Sequence, residues 1–263
     1  MRLLPVDGVN LEVRTIPGDA SRPWLVFLHE GLGCVTLWRD FPIRLARRLG
    51  MRALIYSRRG YGKSASLAGP RHPRFMHDEG LQTLPALLDT LAIEKPILIG
   101  HSDGASIALI HAASGQRPVA AAVLMAPHVF VEPVTLASIA RAAEAYATTD
   151  LRDRLARHHD NADDAFLGWS RIWLSPQFTS WSLGQEVANL RVPTLVIQGS
   201  DDEYGTLAQI DALCSIAPGP VQRLVLDRCG HAPHRDQEAV VLDAICGFVG
   251  HAQDLSAGPD RQS

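Results

Sequence analysis

Short apolar segments recur along this 263-residue chain, and helical patterns separate them. Most of these segments have no alternating polar residue, which is typical of strands covered on both faces in a parallel sheet. Strands that alternate with helices in this way predict a doubly wound α/β fold. The apolar segments are 24–28, 53–56, 97–99, 121–125, 194–197 and 223–226, and the helical patterns are 38–49, 76–91, 105–113, 207–216 and 237–249.

Two further strands are predicted at the N-terminus, over residues 2–6 and 9–16. The second alternates apolar and polar residues, as an edge strand does. Asp7-Gly8 between them is a signal for a two-residue hairpin turn. The chain is therefore expected to form an eight-stranded, mostly parallel sheet that begins antiparallel and carries helices on both faces.

Residues 132–191 interrupt the alternation, because they contain no β-like run. Helical patterns fill this segment instead, at 136–147, 150–158 and 163–174. Such an insertion between two strands is too long for a simple crossover and predicts a helical cap over one end of the sheet. We assign residues 1–131 and 192–251 to the core domain and 132–191 to the cap. Residues 252–263 are polar, contain Gly and Pro, and predict a disordered tail.

The segment Gly100-His101-Ser102-Asp103-Gly104 follows an apolar strand directly and precedes a helix of small residues. A strand that turns into a helix within about two residues holds the central serine at a strained angle with its hydroxyl exposed. The two glycines keep the neighbouring backbone free of side chains. This context predicts that Ser102 is a catalytic nucleophile.

A serine hydroxyl needs a base, and the base needs a third group that orients it. His231 follows the last predicted strand, at the edge of the sheet where Ser102 stands, whereas His234 is a competitor three residues further on. Two adjacent aspartates, Asp201 and Asp202, follow the strand at 194–197. We assign the base to His231 and the orienting acid to Asp202, and the other aspartate is expected to cap a turn or a helix.

Acyl transfer also requires hydrogen-bond donors for the oxyanion. One donor is expected to be the backbone N–H of Asp103, at the start of its helix. The second is expected from the glycine-containing loop after the strand at 24–28, where Gly31 or Leu32 can present its N–H. This chemistry requires neither a metal nor an organic cofactor.

The overall charge gives no electrostatic reason to bind nucleic acid or an anionic membrane. Lys and Arg total 25 and Asp and Glu total 28, for a net charge of −3. The four cysteines are scattered and form no C-x-x-C pair, and no apolar run is long enough for a signal peptide or a membrane span. A cytoplasmic protein that acts on a small molecule is expected, and no pattern predicts its oligomeric state.

These segments together resemble the α/β-hydrolase superfamily, and within it the capped enzymes with esterase, thioesterase, lactonase and C–C-hydrolase members. The resemblance extends from about residue 11 to residue 249 and implies the α/β-hydrolase fold. In that family the acid stands three residues after a glycine, which supports Asp202. The matching segments are His29-Glu30-Gly31-Leu32-Gly33, Arg59-Gly60-Tyr61-Gly62-Lys63-Ser64, Gly100-His101-Ser102-Asp103-Gly104, Gly199-Ser200-Asp201-Asp202 and Gly230-His231.

Two residues depart from the family's usual pattern. Glu30 stands where the family usually has glycine, and its carboxylate is expected either to repel anionic substrates or to add a hydrogen bond. Asp103 stands where the family more often has an apolar residue, and it is expected to point away from the site and bond to a neighbour. Because the nucleophile is a serine, the resemblance implies neither a haloalkane dehalogenase nor an epoxide hydrolase.

Candidate substrate-binding residues come from the cap and from one strand end. Trp169 and Trp173, together with Trp181 and Phe166, favour an apolar or aromatic substrate group if they line a pocket rather than form the cap's own core. Arg171 lies between two of these tryptophans and either pairs with a substrate carboxylate or faces solvent. His128 follows the strand at 121–125 and either lines the pocket wall or has a structural role.

The resemblance leaves three functions open. The first is a serine hydrolase of carboxylic esters, thioesters or lactones that works through an acyl-enzyme on Ser102. The second is a C–C bond hydrolase or a cofactor-free perhydrolase with the same three side chains. The third is a ligand-binding receptor built on a hydrolase fold.

Overall fold

A computed structural model describes residues 1–256 and places eight strands in one sheet. The strands are β1 (Arg2–Val6), β2 (Val9–Ile16), β3 (Leu25–Leu28), β4 (Ala53–Tyr56), β5 (Ile97–His101), β6 (Ala121–Met125), β7 (Thr194–Gly199) and β8 (Val221–Leu226). Their order across the sheet is β1-β2-β4-β3-β5-β6-β7-β8. β2 is antiparallel to both of its neighbours, and the other neighbouring pairs are parallel. The predicted eight-stranded, mostly parallel α/β architecture is confirmed.

The first turn has the geometry that its sequence indicates. Asp7 and Gly8 both have positive φ, at 46° and 77°. Positive φ at both central residues is the requirement of the two-residue turn that matches the twist of antiparallel strands. The hairpin formed by β1 and β2 therefore begins the sheet, as expected.

Helices cover both faces of the sheet. The core helices are α1 (Phe41–Leu49), α2 (Phe75–Asp78), α3 (Leu84–Thr90), α4 (Asp103–Ser114), α9 (Ala208–Ile216), α10 (Pro233–Asp236) and α11 (Glu238–Ser256), and the inserted helices are α5 (Pro133–Thr148), α6 (Leu151–Ala156), α7 (Ala162–Trp173) and α8 (Gly184–Asn189). A π-helical turn, Glu79–Thr83, joins α2 to α3. The central strands point alternate side chains into two apolar layers. One layer contains residues of α3 and α4, and the other contains residues of α1 and α11.

The segment 132–191 contains four helices and none of the eight sheet strands, as a helical cap would. The three tryptophans of this segment are buried. Trp181 stacks on Phe178 and lies edge-on to Trp173, with ring centres 5.1 and 5.8 Å apart. Trp181 therefore belongs to the packing within the cap.

The C-terminal boundary of the predicted core needs a correction. α11 continues to Ser256, so a disordered tail does not begin at Ala252. The backbone hydrogen bonds of preceding turns propagate a helix, and residues 252–256 contain no Gly or Pro that would end it. Residues 257–263 lie outside the described part of the chain.

One edge of the sheet collects all the predicted reactive groups. β3, β5, β6, β7 and β8 run parallel, so their carboxyl ends lie along the same edge. The loops and turns that follow these strands carry Gly31, Ser102, His128, Asp202 and His231 in that order. Ligands of open α/β sheets bind at this edge.

Buried histidines are a further feature of the fold. Loss of contact with water lowers the pKa of five of them, because burial penalises the imidazolium form. They are His29, His111, His128, His159 and His234. For His128 the folded-state pKa is lowered to about 3 from an ordinary value of 6.5.

We predict that acid destabilises this fold partly through His128. Between about pH 3 and pH 6.5 the unfolded chain binds a proton at this residue and the folded chain does not. Stability therefore rises with pH across that window, and the contribution of one such group approaches 1.4 kcal/mol per pH unit. Urea unfolding between pH 4 and pH 6 measures how the free energy of unfolding changes with pH. For His128→Asn this slope should be smaller than for the unaltered protein, by the equivalent of nearly one proton.

A matched control is His251→Gln, which changes an exposed histidine of α11. This variant should keep the slope of the unaltered protein. An unchanged slope for His128→Asn would contradict the prediction.

Candidate active site

Ser102 stands at a sharp turn between β5 and α4. Its φ of 53° is a strained value for a residue with a side chain. The backbone N–H of Ser102 donates to the carbonyl of Met125 in β6 at 2.9 Å, which ties the turn to the neighbouring strand. The turn is held by the surrounding backbone rather than by its own preference.

Close backbone approach explains the two glycines around this serine. A Cβ at Gly104 would lie 2.0 Å from the carbonyl oxygen of Leu28 in β3. A Cβ at Gly100 would lie 2.5 Å from the Cα of Ala105 in α4. Only a residue without a side chain allows the helix to begin so close to the strands.

A continuous chain of hydrogen bonds joins the three predicted catalytic residues. His231 Nε2 lies 2.9 Å from Ser102 Oγ. His231 Nδ1 lies 2.8 and 2.9 Å from the two carboxylate oxygens of Asp202. Since the carboxylate can only accept, Nδ1 carries the ring proton and Nε2 is the acceptor that faces the hydroxyl.

The surroundings of Asp202 keep it ionised. Burial alone would raise the pKa of this carboxyl, but hydrogen bonding and charge from His231 and the backbone N–H of Tyr204 outweigh burial and lower it. The N–H groups of Tyr204 and Gly205 donate to one oxygen, and the Gln198 amide donates to the other at 2.6 Å. The carboxylate is thereby fixed in the orientation that meets the imidazole.

The two competing residues lie elsewhere. Asp201 is exposed and accepts a hydrogen bond from Ser200 Oγ. His234 is buried, with its ring 4.9 Å from Trp38 and 5.4 Å from Phe41. Neither contacts Ser102, so the arrangement favours Asp202 and His231.

A cavity of about 260 Å³ opens over Ser102. Its lining includes Gly31, Leu32 and Asp103, the three residues proposed to present N–H donors. Within the described part of the chain, the N–H groups of Gly31 and Leu32 donate to no backbone acceptor. The N–H of Asp103 stands at the first position of α4, where no earlier carbonyl of the helix can accept it. Trp169 covers Gly31 so closely that a Cβ there would lie 2.2 Å from the indole nitrogen.

The carboxylate of Asp103 is buried between the cap and Arg58. It is buried, accepts a hydrogen bond from Trp173 Nε1 at 3.2 Å, and lies 3.9 Å from Arg58 Nη1. Burial raises the pKa of Asp103, and the Arg58 guanidinium opposes that rise. The cap and the nucleophile turn are joined at this residue.

Glu30 pairs with the guanidinium of Arg235 at the rim of the cavity. Arg235 Nη2 donates to one of its carboxylate oxygens at 3.0 Å, and His101 Nδ1 lies 3.5 Å from the other. Burial would raise the pKa of Glu30, but these two partners outweigh it and hold the pKa well below its usual range. The opposite side of the His101 ring donates to the carbonyl of His231 at 2.7 Å, which supports the loop that carries the base.

The cap and β6 supply the upper wall. Trp169, Trp173 and His128 all line the cavity. The His128 ring lies 5.0 Å from that of Trp173 and 5.6 Å from that of His231. These three predicted substrate-binding residues are therefore in place to touch a ligand.

Of the two placements left open for Arg171, the structure shows the exposed one and not a position in the cavity over Ser102. This residue is exposed and lines a separate groove with Leu67 and Arg71. Each residue advances a helix by about 100°, so Arg171 is rotated about 200° from both Trp169 and Trp173. When the tryptophans face the cavity, the arginine between them must face away.

Sequence reasoning missed several lining residues. Glu203 and Tyr204 follow Asp202 directly, and Thr135 and Ile139 stand four residues apart on one face of α5. That spacing was visible in the sequence, but nothing indicated which face of α5 meets the core. Arg235 and Asp236 enter because α10 begins immediately after the His231 loop.

Two further observations limit what the described residues can hold. Among residues 1–256, no three His, Cys, Asp or Glu side chains are grouped so as to bind a metal ion. No helix in the same range is long and apolar enough to cross a membrane.

A wider groove of about 780 Å³, lined by residues of α4 and α8, contains none of the predicted site residues.

Comparison with known proteins places the chain in a family. The model of the Alpha/beta hydrolase family matches residues 25–244. The sn-1-specific diacylglycerol lipase ABHD11 of Mus musculus is 32% identical over 116 residues, which are 41% of this chain and 36% of that protein. A proline iminopeptidase of Lactobacillus helveticus is 29% identical over 108 residues, which are 41% of this chain and 36% of that protein. The chain thus spans about a third of the length of the curated relatives it matches.

Solved structures share the fold at low sequence identity. An enol-lactonase from Burkholderia xenovorans has a TM-score of 0.74 at 22% identity, with 95% of this chain and all of that chain covered (100%). A meta-cleavage product hydrolase from Pseudomonas fluorescens has a TM-score of 0.72 at 17% identity, with 96% of this chain and 98% of that chain covered. The family match extends over most of the sequence and includes the nucleophile turn, the acid loop and the histidine loop. The chain therefore belongs to the alpha/beta hydrolase family.

Proposed function

We propose that this protein is a serine hydrolase that cleaves a carboxylic ester, thioester or lactone of a small molecule with an apolar or aromatic group. The observation that carries the proposal is the hydrogen-bonded chain from Ser102 Oγ through His231 to Asp202, at the floor of a cavity. Such a chain activates a hydroxyl that is otherwise a weak nucleophile. The names of the relatives, a lipase, an iminopeptidase and a lactonase, support hydrolysis as the class of reaction.

The first half of the reaction makes an acyl-enzyme. The Ser102 oxygen attacks the carbonyl carbon while its proton passes to His231 Nε2. Asp202 holds the ring proton on Nδ1 and stabilises the imidazolium that forms. When the tetrahedral intermediate collapses, the bond to the leaving group breaks and His231 returns the proton to that group.

The second half releases the acyl group. A water molecule gives its proton to His231 as its oxygen attacks the acyl carbon. The bond to Ser102 then breaks, and the serine oxygen takes the proton back. The N–H of Asp103 and that of Gly31 or Leu32 stabilise the negative oxygen in both halves, each by about 3–4 kcal/mol.

The cavity walls argue for a small substrate. About 260 Å³ is below the range of roughly 300–1,000 Å³ usual for drug-sized ligands. Trp169 and Trp173 offer flat apolar surfaces to the acyl or alcohol group. A short or single-ring group fits these limits.

The charges around the cavity argue against an anionic substrate. Glu30, Glu203 and Asp236 line it, and its guanidinium, Arg235, is already bound to Glu30. A substrate carboxylate would meet uncompensated negative charge in a partly desolvated space, where repulsion is stronger than in water. Neutral or cationic substrates are favoured.

The central test is the nucleophile itself. Ser102→Ala should lower the turnover of p-nitrophenyl acetate and p-nitrophenyl benzoate by at least about 10³-fold, because the covalent step is lost. The unaltered protein should be labelled by a fluorophosphonate on the peptide that contains Ser102, as mass spectrometry would show. Full ester turnover in the variant would contradict the proposal.

The same measurements separate the other two functions. Weak esterase activity with rapid cleavage of a vinylogous 1,5-diketone would favour carbon–carbon bond hydrolysis. Tight binding of a ligand without turnover would favour a receptor.

The adjacent aspartates provide a matched pair. Asp202→Asn should lower kcat by about 10³–10⁴-fold, since an amide cannot hold the imidazole in the required tautomer. Asp201→Asn alters an exposed neighbour and should change kcat less than about twofold. Equal effects of the two variants in steady-state assays would contradict the assignment of the acid.

Substrate charge can be varied at constant shape. We expect kcat/KM for p-nitrophenyl hemisuccinate to be at least about tenfold below that for p-nitrophenyl butyrate, which lacks the distal carboxylate. Added salt should narrow the difference because it screens the repulsion. A preference for the hemisuccinate would show that the cavity accepts anions.

A further inference from the structure

Arg58 is a buried arginine behind the nucleophile turn, and none of the steps above uses it. It follows β4 and is 1% exposed. A guanidinium withdrawn from water is costly unless its donors are satisfied. Its Nη2 donates to the backbone carbonyl of Glu30 at 2.8 Å and to that of His29 at 3.3 Å. The Arg58 guanidinium therefore binds the backbone of the loop that follows β3.

His29 adds a second donor to the same carbonyl. Its Nε2 accepts the backbone N–H of Arg58 at 3.0 Å, so the ring proton is on Nδ1. Nδ1 then donates to the Glu30 carbonyl at 2.7 Å. Burial, and next the Arg58 charge, hold the pKa of His29 well below its ordinary value, consistent with a neutral ring that carries one proton.

Anchoring this carbonyl also orients the next N–H. The described chain contains no cis peptide bond, so the carbonyl of Glu30 and the N–H of Gly31 point in opposite directions from one rigid plane. The backbone N–H of Gly33 also donates to this carbonyl, at 3.1 Å, so the two side-chain donors act with one backbone donor to set the direction of the Gly31 N–H. Gly31 lines the cavity beside Ser102, where that N–H is one of the proposed oxyanion donors.

The same guanidinium also approaches the other donor. Its Nη1 is 3.9 Å from the carboxylate of Asp103, whose own N–H is the first proposed donor. The positive charge offsets a carboxylate that would otherwise oppose negative charge on the substrate oxygen. Trp173 holds the second carboxylate oxygen from the cap side. One side chain is thus linked to both segments of the proposed oxyanion hole.

We propose that Arg58 is a positioning residue of the oxyanion hole: its fork holds the Glu30–Gly31 peptide in place and balances the charge of Asp103. This inference rests on the proposed serine hydrolase function. Arg58 touches neither the substrate nor Ser102, so its effect would be exerted through backbone N–H groups. Loss of the fork should weaken stabilisation of the negative oxygen more than it weakens binding of the neutral ester.

The test compares Arg58→Gln with the unaltered protein, with rates expressed per active site titrated by a fluorophosphonate. We expect kcat to fall about 10²-fold while KM changes less than threefold. A trifluoromethyl ketone, which forms a negatively charged adduct with the serine, should bind weaker by a similar factor. The corresponding methyl ketone, bound without an adduct, should bind nearly as before.

Two further variants complete the test. Arg59→Gln removes the neighbouring guanidinium, whose Nε donates to the carbonyl of Ser66 and, among the described residues, makes no hydrogen bond to the Glu30 loop; its kcat per titrated site should stay within threefold. If Arg58→Gln does not fold, Arg58→Lys keeps the charge without the fork and should show at least tenfold losses in kcat and in trifluoromethyl ketone affinity.

Unchanged kcat per site and unchanged analogue affinity in the folded Arg58 variants would overturn the inference and leave only a structural role. The proposed function fails separately, if Ser102→Ala retains turnover or the fluorophosphonate does not label Ser102.

Discussion

The turn from β5 into α4 is the constraint on which the rest of the site depends. Ser102 has a strained backbone because α4 begins against the carbonyl of Leu28, with no room for a side chain at residue 104. Strain of this kind persists only where the surrounding structure imposes it. Here the strain is imposed by the parallel sheet. The small residues at the start of α4 pack directly against β3, and this packing holds the Ser102 hydroxyl at the edge of the sheet.

The other two groups of the proposed triad lie at the same edge. Asp202 and His231 come from loops after β7 and β8, which are neighbours in the sheet, and so the acid reaches the imidazole without a long excursion of the chain. The strand register aligns the ends of β7 and β8 at Gly199 and Leu226. Because all three loops follow strands of one parallel sheet, they begin close together, and their side chains can meet over a short distance.

Much of this arrangement could be predicted from the residues, and the reasons for success and failure are physical. Ser102, Asp202 and His231 could be placed because each follows a recognisable strand, and strand ends of a parallel sheet share an edge. For Arg171 the sequence left two placements open, because helical spacing puts it opposite the tryptophans but does not say which side of the helix meets the cavity. Arg58 gave no signal, because its partners are backbone carbonyls and any sequence supplies those. The extent of α11 was missed because the Gly and Pro that suggested a tail, at 258 and 259, come after the last residue of the helix.

The bond from Trp173 to Asp103 has a consequence for how such a molecule diversifies. The cap does not only cover the sheet edge. The indole of Trp173 donates a hydrogen bond to the buried carboxylate of Asp103, the residue that follows Ser102. A transplanted lid lacking that donor would leave a buried carboxylate short of a partner beside the reacting atoms. Under the proposed mechanism, an exchange of the segment 132–191 would therefore alter reactivity as well as selectivity.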